Sequence, residues 1–206
     1  TGDLPALKYY RALTGDFRGI PVLIARTGYT GEDGFELYVP VPDALALWDA
    51  LAAAGEPHGL VPAGLASRDT LRLEAGMPLY GHELSTTTYP AQAGLGRVVS
   101  LARETDFVGR AASEQGPSAE ARVLVGLISA GKRAGRAGYD IFRSVDATEA
   151  EGTITSGALS PTLGYPIAMA YVAPALARLG TEVYVDVRGS RIPATVTSLP
   201  FYTRQK

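Results

Sequence analysis

Two segments of the sequence carry residue types that could hold a small polar ligand. The first is RTGYTGEDGFE at 26–36, a glycine-rich turn that ends at Glu36. The second is GLASRDTLRLEAGMPLYGHE at 64–83, which places Arg68 on a predicted helix. Arg binds carboxylates through a planar two-point fork, and a carboxylate accepts from paired N–H donors. The two segments therefore suit a ligand with a donor-rich end and an anionic end.

Simpler structural roles compete with ligand binding at these positions. Glu32 and Asp33 lie beside glycines and are typical of residues that build a turn. A carboxylate on the polar face of a strand is often only solvated. Arg72 and Glu74 are interpreted as ion-paired residues on the helix surface. For Tyr29, the aromatic residue of the turn, the pattern leaves open whether its ring stacks on anything.

Composition excludes several other functions. The chain has 206 residues, no cysteine and a net charge of −2. A disulfide framework, a thiolate zinc site and a cysteine nucleophile are excluded, and nucleic acid or an anionic membrane is a poor match. The two histidines, His58 and His82, have no metal-ligand spacing around them, so we predict no metal site.

Period-two patterns and turn residues predict the elements that position these side chains. Strands at 20–26 and 35–40 flank the turn at 27–34 and form a β-hairpin, and α-helices follow Asp43 up to Gly55 and span 62–74. A short helix is predicted at 106–112. Six short strands then predict an antiparallel barrel or sandwich: 122–128, 138–142, 152–156, 168–172, 182–187 and 192–198.

The domain organisation follows from this change of pattern. The fold class is α+β, with a first region at 1–113 and an all-β domain at 120–206. The polar segment EQGPSAE at 114–120 is the predicted linker. The run at 152–177 has no charge and is long enough to span a bilayer, but three prolines interrupt it. We expect two buried strands there rather than a membrane helix.

The sequence resembles the aminomethyltransferases of the glycine cleavage system, the T-protein family. The segments that carry the resemblance follow the order of the family and span most of the chain: RTGYTGEDGFELYVP (26–40), GLASRDTLRLEAGMPLYGHEL (64–84), VGLI (125–128), GTITSGALSPTLGYPIAMAYV (152–172) and LPFYTR (199–204).

The resemblance implies a folate-binding region followed by a C-terminal antiparallel β-barrel. The family transfers an aminomethyl unit from the lipoyl arm of the H-protein to tetrahydrofolate, which gives methylenetetrahydrofolate and ammonia. It therefore implies tetrahydrofolate as cosubstrate, the lipoylated H-protein as partner and the bacterial cytoplasm as location, with no nucleic acid and no membrane.

The resemblance also assigns roles to four residues. Glu36 corresponds to the carboxylate that pairs with the amino-pyrimidine edge of the pterin, and Tyr29 lines the same pocket. Arg68 corresponds to the cation near the benzoyl-glutamate end, and Tyr202 closes the pocket. The family's essential aspartate precedes the hairpin and has no counterpart here, so we assign no catalytic residue. We expect this chain to be the C-terminal portion of a T-protein.

Three alternatives stay open at this point. The chain could be the folate module of a sarcosine- or dimethylglycine-oxidising flavoenzyme, for which an upstream dinucleotide-binding domain would be the discriminating feature. It could be a non-catalytic folate-binding relative of the iron–sulfur assembly type, although those carry a cysteine motif and this chain has no cysteine. It could also be a stable fragment without an independent role.

Overall fold

The computed structural model describes residues 3–204. The chain divides into two compact units, of which the first reaches to Leu71 and the second starts at Arg72.

The first unit contains a three-stranded antiparallel sheet in the order β1-β2-β3. Its strands are β1 (Ala12–Phe17), β2 (Ile20–Ala25) and β3 (Glu36–Tyr38). The predicted hairpin is confirmed, with Ala25 opposite Glu36 in the β2–β3 register. Strand β1 was not predicted from the sequence.

The turn between β1 and β2 explains how the chain reverses there. Arg18 and Gly19 have φ values of +55° and +86°, and Phe17 pairs with Ile20. Two consecutive positive φ values in a two-residue loop are the geometry that matches the twist of paired strands. The amide of Gly19 donates to the Asp16 carboxylate at 3.0 Å, which fixes the turn.

Two helices follow the sheet along the chain. Helix α1 spans Ala44–Gly55 as predicted, and a 3₁₀ turn at Glu56–His58 continues it. Helix α2 spans Leu65–Glu74 and starts three residues later than predicted, after Pro62. Its last three residues are buried and belong to the second unit.

The second unit is built around a closed antiparallel barrel, which decides between the barrel and the sandwich. The strand order is β4-β7-β6-β5-β8-β9, and all six predicted strands are present. Their bounds are β4 Val123–Ser129, β5 Asp140–Phe142, β6 Gly152–Leu159, β7 Pro166–Val172, β8 Glu182–Val187 and β9 Ser190–Thr197.

The barrel core comes from alternating side chains that point inward. Every second residue of β6 is buried, which is the pattern expected of a strand with one face inside. Five residues of β7 in succession are buried, from Pro166 to Ala170. The uncharged run at 152–177 thus forms two strands, as predicted. Within residues 3–204, no helix has the length and apolar character needed to cross a bilayer.

The segment between α2 and the barrel consists mainly of turns. It includes a 3₁₀ turn at Gly96–Val98 and the short helix α3 at Arg110–Gln115. The predicted bounds of this helix, 106–112, were therefore about one turn too early. Gly109, with a φ of +89°, stands immediately before the helix and breaks helical geometry there.

Candidate functional site

The glycine-rich turn of the hairpin is held together by an ion pair. Arg26 donates to both oxygens of Asp33, from Nε at 2.8 Å and from Nη2 at 2.6 Å. The hydrogen bonds to Asp33 raise the pKa of the Arg26 guanidinium. The same guanidinium lies 5.6 Å from the centre of the Phe35 ring. Asp33 therefore builds the turn, as its position beside glycine indicated.

Glu36 starts the third strand of the sheet, with an exposed side chain. The hydroxyl of Thr27 donates to its Oε2 atom across the hairpin. Strand register explains this contact, since Glu36 pairs with Ala25 and Thr27 follows two residues later along the chain. Each carboxylate oxygen has two lone pairs, so this bond orients the group and leaves acceptor capacity for a ligand.

The side chains of Arg68 and Tyr29 are in contact, although 39 positions separate the two residues in the sequence. The guanidinium carbon of Arg68 lies 4.8 Å from the centre of the Tyr29 ring. Tyr29 is half-buried and Arg68 is exposed. A guanidinium this close to an aromatic ring is attracted to the ring face, which helps to hold the cation in place.

The structure thus places Glu36, Tyr29 and Arg68 in the first unit, around one hairpin turn. Thr27 joins this group, although sequence reasoning missed it. The period of two along the strand was the available signal, because it puts Thr27 and Ala25 on one face of the hairpin.

Tyr202 belongs to the second unit, where it is half-buried. Its amide donates to the carbonyl oxygen of Glu74 at 2.9 Å. A Cβ atom on Gly76 would lie 3.0 Å from the Cα atom of Pro200, so only glycine lets the segment 199–202 approach so closely. Gly76 has a φ of +66°, which also favours glycine.

The interpretation of Arg72 and Glu74 as helix-surface residues was wrong. Their exposed fractions are 1% and 2%. Arg72 Nη1 lies 3.0 Å from the Oε2 atom of Glu83, and Nη2 donates to the Ser156 hydroxyl at 2.8 Å. A buried guanidinium has to be paired and hydrogen-bonded in this way, because desolvation of an unpaired charge is costly.

Glu74 is satisfied by a different set of partners. Its Oε1 accepts from the Ser160 hydroxyl and from the amide of Thr162, and its Oε2 accepts from the Thr162 hydroxyl at 2.8 Å. All of these donors come from the turn between β6 and β7. Glu74 therefore anchors this turn at the end of helix α2 and is a structural residue.

Glu83 is the second buried carboxylate of this unit and is fully inaccessible. Its Oε2 accepts from Arg72 and from the amide of Leu79 at 2.8 Å, while Oε1 has no hydrogen-bond partner among residues 3–204. The Tyr171 hydroxyl donates to the carbonyl oxygen of Glu83 at 2.8 Å. Burial, and secondarily the charge of Glu83, raise the pKa of Tyr171 to about 12.

Two protein-family models match the chain. The family described as "GCVT N-terminal domain" matches residues 2–103. The family described as "Glycine cleavage T-protein C-terminal barrel domain" matches residues 122–203, which contain all six barrel strands.

Several curated relatives are called aminomethyltransferase. The one from Cutibacterium acnes is 61% identical over 198 residues, which are 96% of this chain and 52% of the relative. The one from Streptomyces coelicolor is 61% identical over 209 residues, which cover 99% of this chain and 55% of the relative. The chain thus spans about half the length of the curated relatives it matches.

A solved structure shares the fold. It is the glycine cleavage system aminomethyltransferase T from Bartonella henselae, with a TM-score of 0.83 and 36% sequence identity. The similarity covers 96% of this chain and 54% of the solved one.

Proposed function

We propose that this chain, which belongs to the glycine cleavage T-protein family, supplies part of the tetrahydrofolate site of an aminomethyltransferase. The whole protein would move the aminomethyl carbon from the lipoyl arm of the H-protein to tetrahydrofolate, and it would release methylenetetrahydrofolate, ammonia and the reduced lipoyl carrier. The observation that carries the proposal is the grouping of Glu36, Tyr29 and Arg68 around one hairpin turn.

Glu36 is proposed to recognise the amino-pyrimidine edge of the pterin. That edge presents two parallel N–H donors, and a carboxylate accepts both of them at once. The Thr27 hydroxyl supports this role, because it orients the carboxylate before the ligand arrives. A side chain that is already oriented loses less conformational entropy on binding.

Arg68 is proposed to bind the anionic benzoyl-glutamate end of the same ligand. The cation–π contact with Tyr29 supports this role, since the ring helps to hold the Arg68 guanidinium in place, and a guanidinium binds carboxylates through its planar fork. Tyr29 would then line the pocket and also orient the cation. Tyr202 is proposed to close the pocket in the complete protein, and its contact with Glu74 fixes the backbone at that position.

Such a site would act by binding and positioning. The folate nitrogen has to meet the aminomethyl carbon in attack geometry, and holding both reactants in place supplies much of the rate enhancement. We propose no proton-transfer role for the residues of this site.

The proposal is tested on a hybrid protein, in which this chain replaces the matching part of the Streptomyces coelicolor aminomethyltransferase. Titration calorimetry with tetrahydrofolate under reducing conditions compares the hybrid with its Glu36→Gln variant. Loss of the charge-assisted bonds costs about 1.5–3 kcal/mol, which is roughly a tenfold to hundredfold higher Kd. Arg68→Lys should also weaken binding, because Lys keeps the charge but lacks the planar fork.

Glu32→Gln serves as the matched control, because Glu32 is an exposed carboxylate of the same turn. This variant should leave the Kd unchanged. An unchanged Kd for Glu36→Gln would remove Glu36 from the site, and it would leave the assignment of the pterin end without support.

We also propose that the domain boundary lies in the segment 114–120, between a region at 1–113 and a barrel domain at 120–206. The end of helix α3 at Gln115 and the start of β4 at Val123 support this division. A bacterial cytoplasmic location is part of the same proposal, because the relatives described above are bacterial aminomethyltransferases.

A further inference from the structure

The turn of the β2–β3 hairpin lies beyond the last strand pair of its sheet. Ala25 and Glu36 form that pair, so residues 26–35 lie outside the ladder. Glycine occupies three of these positions. Glycine loses more conformational freedom on folding than any other residue, so it is costly to order such a segment. Contacts made by side chains therefore have to contribute to the shape of the turn.

The beginning of the turn is fixed by its connection to the strand before it. The amide of Arg26 donates to the carbonyl oxygen of Arg11 at 2.9 Å, and the carbonyl oxygen of Arg26 accepts from the amide of Tyr10 at 3.0 Å. Thr27 follows directly, and its hydroxyl donates to the Glu36 carboxylate. The contact that orients Glu36 is therefore held from the side of the sheet.

Tyr29 lies farther along the turn, inside the loop that Arg26 and Asp33 close. The Arg26 guanidinium donates to both Asp33 oxygens, at 2.8 and 2.6 Å, and from Nη1 to the carbonyl oxygen of Leu7 at 2.7 Å. The side chains of Arg26 and Asp33 are 24% and 36% exposed. Paired bonds from a planar fork fix the orientation of the two groups as well as their distance. The Arg26–Asp33 pair therefore restrains the loop that carries Tyr29.

The Tyr29 ring in turn contacts the cation of helix α2. The guanidinium carbon of Arg68 lies 4.8 Å from the ring centre, and the Arg68 side chain is exposed. Among residues 3–204, Arg68 forms no ion pair with a carboxylate. Attraction to the ring face is therefore the contact that orients this long side chain.

We propose that Arg26 and Asp33 are positioning residues for the anionic end of the ligand. The pair fixes the loop 26–33, the loop places the Tyr29 ring, and the ring holds the Arg68 guanidinium where it binds a carboxylate. A cation that is oriented beforehand loses less conformational entropy on binding. The inference rests on the proposed function of Arg68 and adds two residues that act on the ligand only through it.

Two double-variant cycles on the hybrid protein defined above test this order of contacts. Titration calorimetry gives the Kd for tetrahydrofolate, and Asp33→Asn is combined with Arg68→Ala in one cycle and with Glu36→Gln in the other. Loss of a partly exposed ion pair has a small effect, so Asp33→Asn alone should raise the Kd roughly threefold to fivefold. It should raise the Kd of Glu36→Gln by the same factor. It should leave the Kd of Arg68→Ala unchanged, because the cation that it positions is gone.

Arg26→Lys repeats the test from the other side of the pair. Lys keeps the positive charge but lacks the planar fork, so the Kd should again rise in the parent and in Glu36→Gln but not in Arg68→Ala. Asp33→Glu keeps the carboxylate and should bind more tightly than Asp33→Asn. The matched control is Glu32→Gln, which changes the neighbouring exposed carboxylate and should leave the Kd unchanged in every background.

A purely structural role of the pair would give a different result. Asp33→Asn would then raise the Kd by the same factor in all three backgrounds, or it would prevent the hybrid from folding. An effect that disappears in Glu36→Gln instead would assign the pair to the pterin end. Each of these results, like an unchanged Kd for Asp33→Asn alone, overturns the inference and leaves the proposed function intact. An Arg68→Ala variant that binds tetrahydrofolate as the parent does overturns both.

Discussion

Removal of Glu83 should destabilise the barrel unit strongly, since this carboxylate balances a buried positive charge. Arg72 and Glu83 are 1% and 0% exposed, and their charged atoms lie 3.0 Å apart. Glu83→Ala removes this carboxylate from Arg72, which also donates to the Ser156 hydroxyl and to the carbonyl oxygen of Met77, two uncharged acceptors. The amide of Leu79 loses its acceptor as well.

Removing one partner of a buried ion pair costs about 3–5 kcal/mol. For a chain of this size, that loss corresponds to a Tm lower by roughly 10 °C. Urea unfolding followed by circular dichroism measures the free energy directly. The matched control is Glu114→Ala, which breaks the exposed Arg110–Glu114 pair of helix α3 and should cost only about 0.5 kcal/mol.

A double variant separates the cost of removing one charge of a buried ion pair from the cost of a lost side chain. Arg72→Met/Glu83→Leu removes both charges of the pair and keeps similar volume, so it should recover most of the stability lost in Glu83→Ala. Two results would refute the reasoning. One is a Glu83→Ala variant that is as stable as the Glu114→Ala control. The other is a double variant that is no more stable than Glu83→Ala.

Two further predictions concern the same unit. Gly76→Ala should lose more stability in urea than the control Gly180→Ala. Both positions have positive φ, but only at Gly76 would a Cβ atom approach the backbone, at 3.0 Å from Pro200. Equal losses of stability in the two variants would contradict this reasoning. The pKa of Tyr171 is raised from 10.0 to about 12 in the folded chain. Its contribution to the free energy of unfolding is therefore fully present below pH 10 and is lost as pH rises toward 12. Tyr171→Phe should therefore lose less stability than the parent chain over that pH range, whereas the control Tyr80→Phe, at an exposed site, should follow the parent.

Most of the barrel could be predicted from the sequence because its strands have one face in the core. Alternation of buried and exposed residues is strongest in β6 and β8, and the predicted bounds of β8 agree with the structure. Strand β1 was missed for the opposite reason, since none of its residues is fully buried and Gly15 interrupts its pattern.

A signal for β1 was nevertheless present in its turn. The segment DFRG at 16–19 and the segment DVRG at 186–189 both place Arg-Gly between two strands. In each, the two residues have positive φ, and the glycine amide donates to the side chain of the preceding aspartate. A repeated turn sequence was thus informative where strand periodicity was weak.

The ionic residues of helix α2 show where sequence reasoning ends. Arg68 and Arg72 are one turn apart and identical in type, yet Arg68 makes a cation–π contact with Tyr29 at an exposed position while Arg72 is buried against Glu83. The difference is set by what contacts each residue. Tyr29 contacts Arg68, whereas Ser156 contacts Arg72 in addition to Glu83, and both Tyr29 and Ser156 come from distant parts of the sequence. Loss of either arginine should therefore act on the protein by a different route. Arg72 variants should lose stability whether or not ligand is present, and Arg68 variants should lose affinity while the fold is retained. Unfolding and calorimetry on the same pair of variants thus test the proposed ligand-binding role of Arg68 separately from the structural role of Arg72.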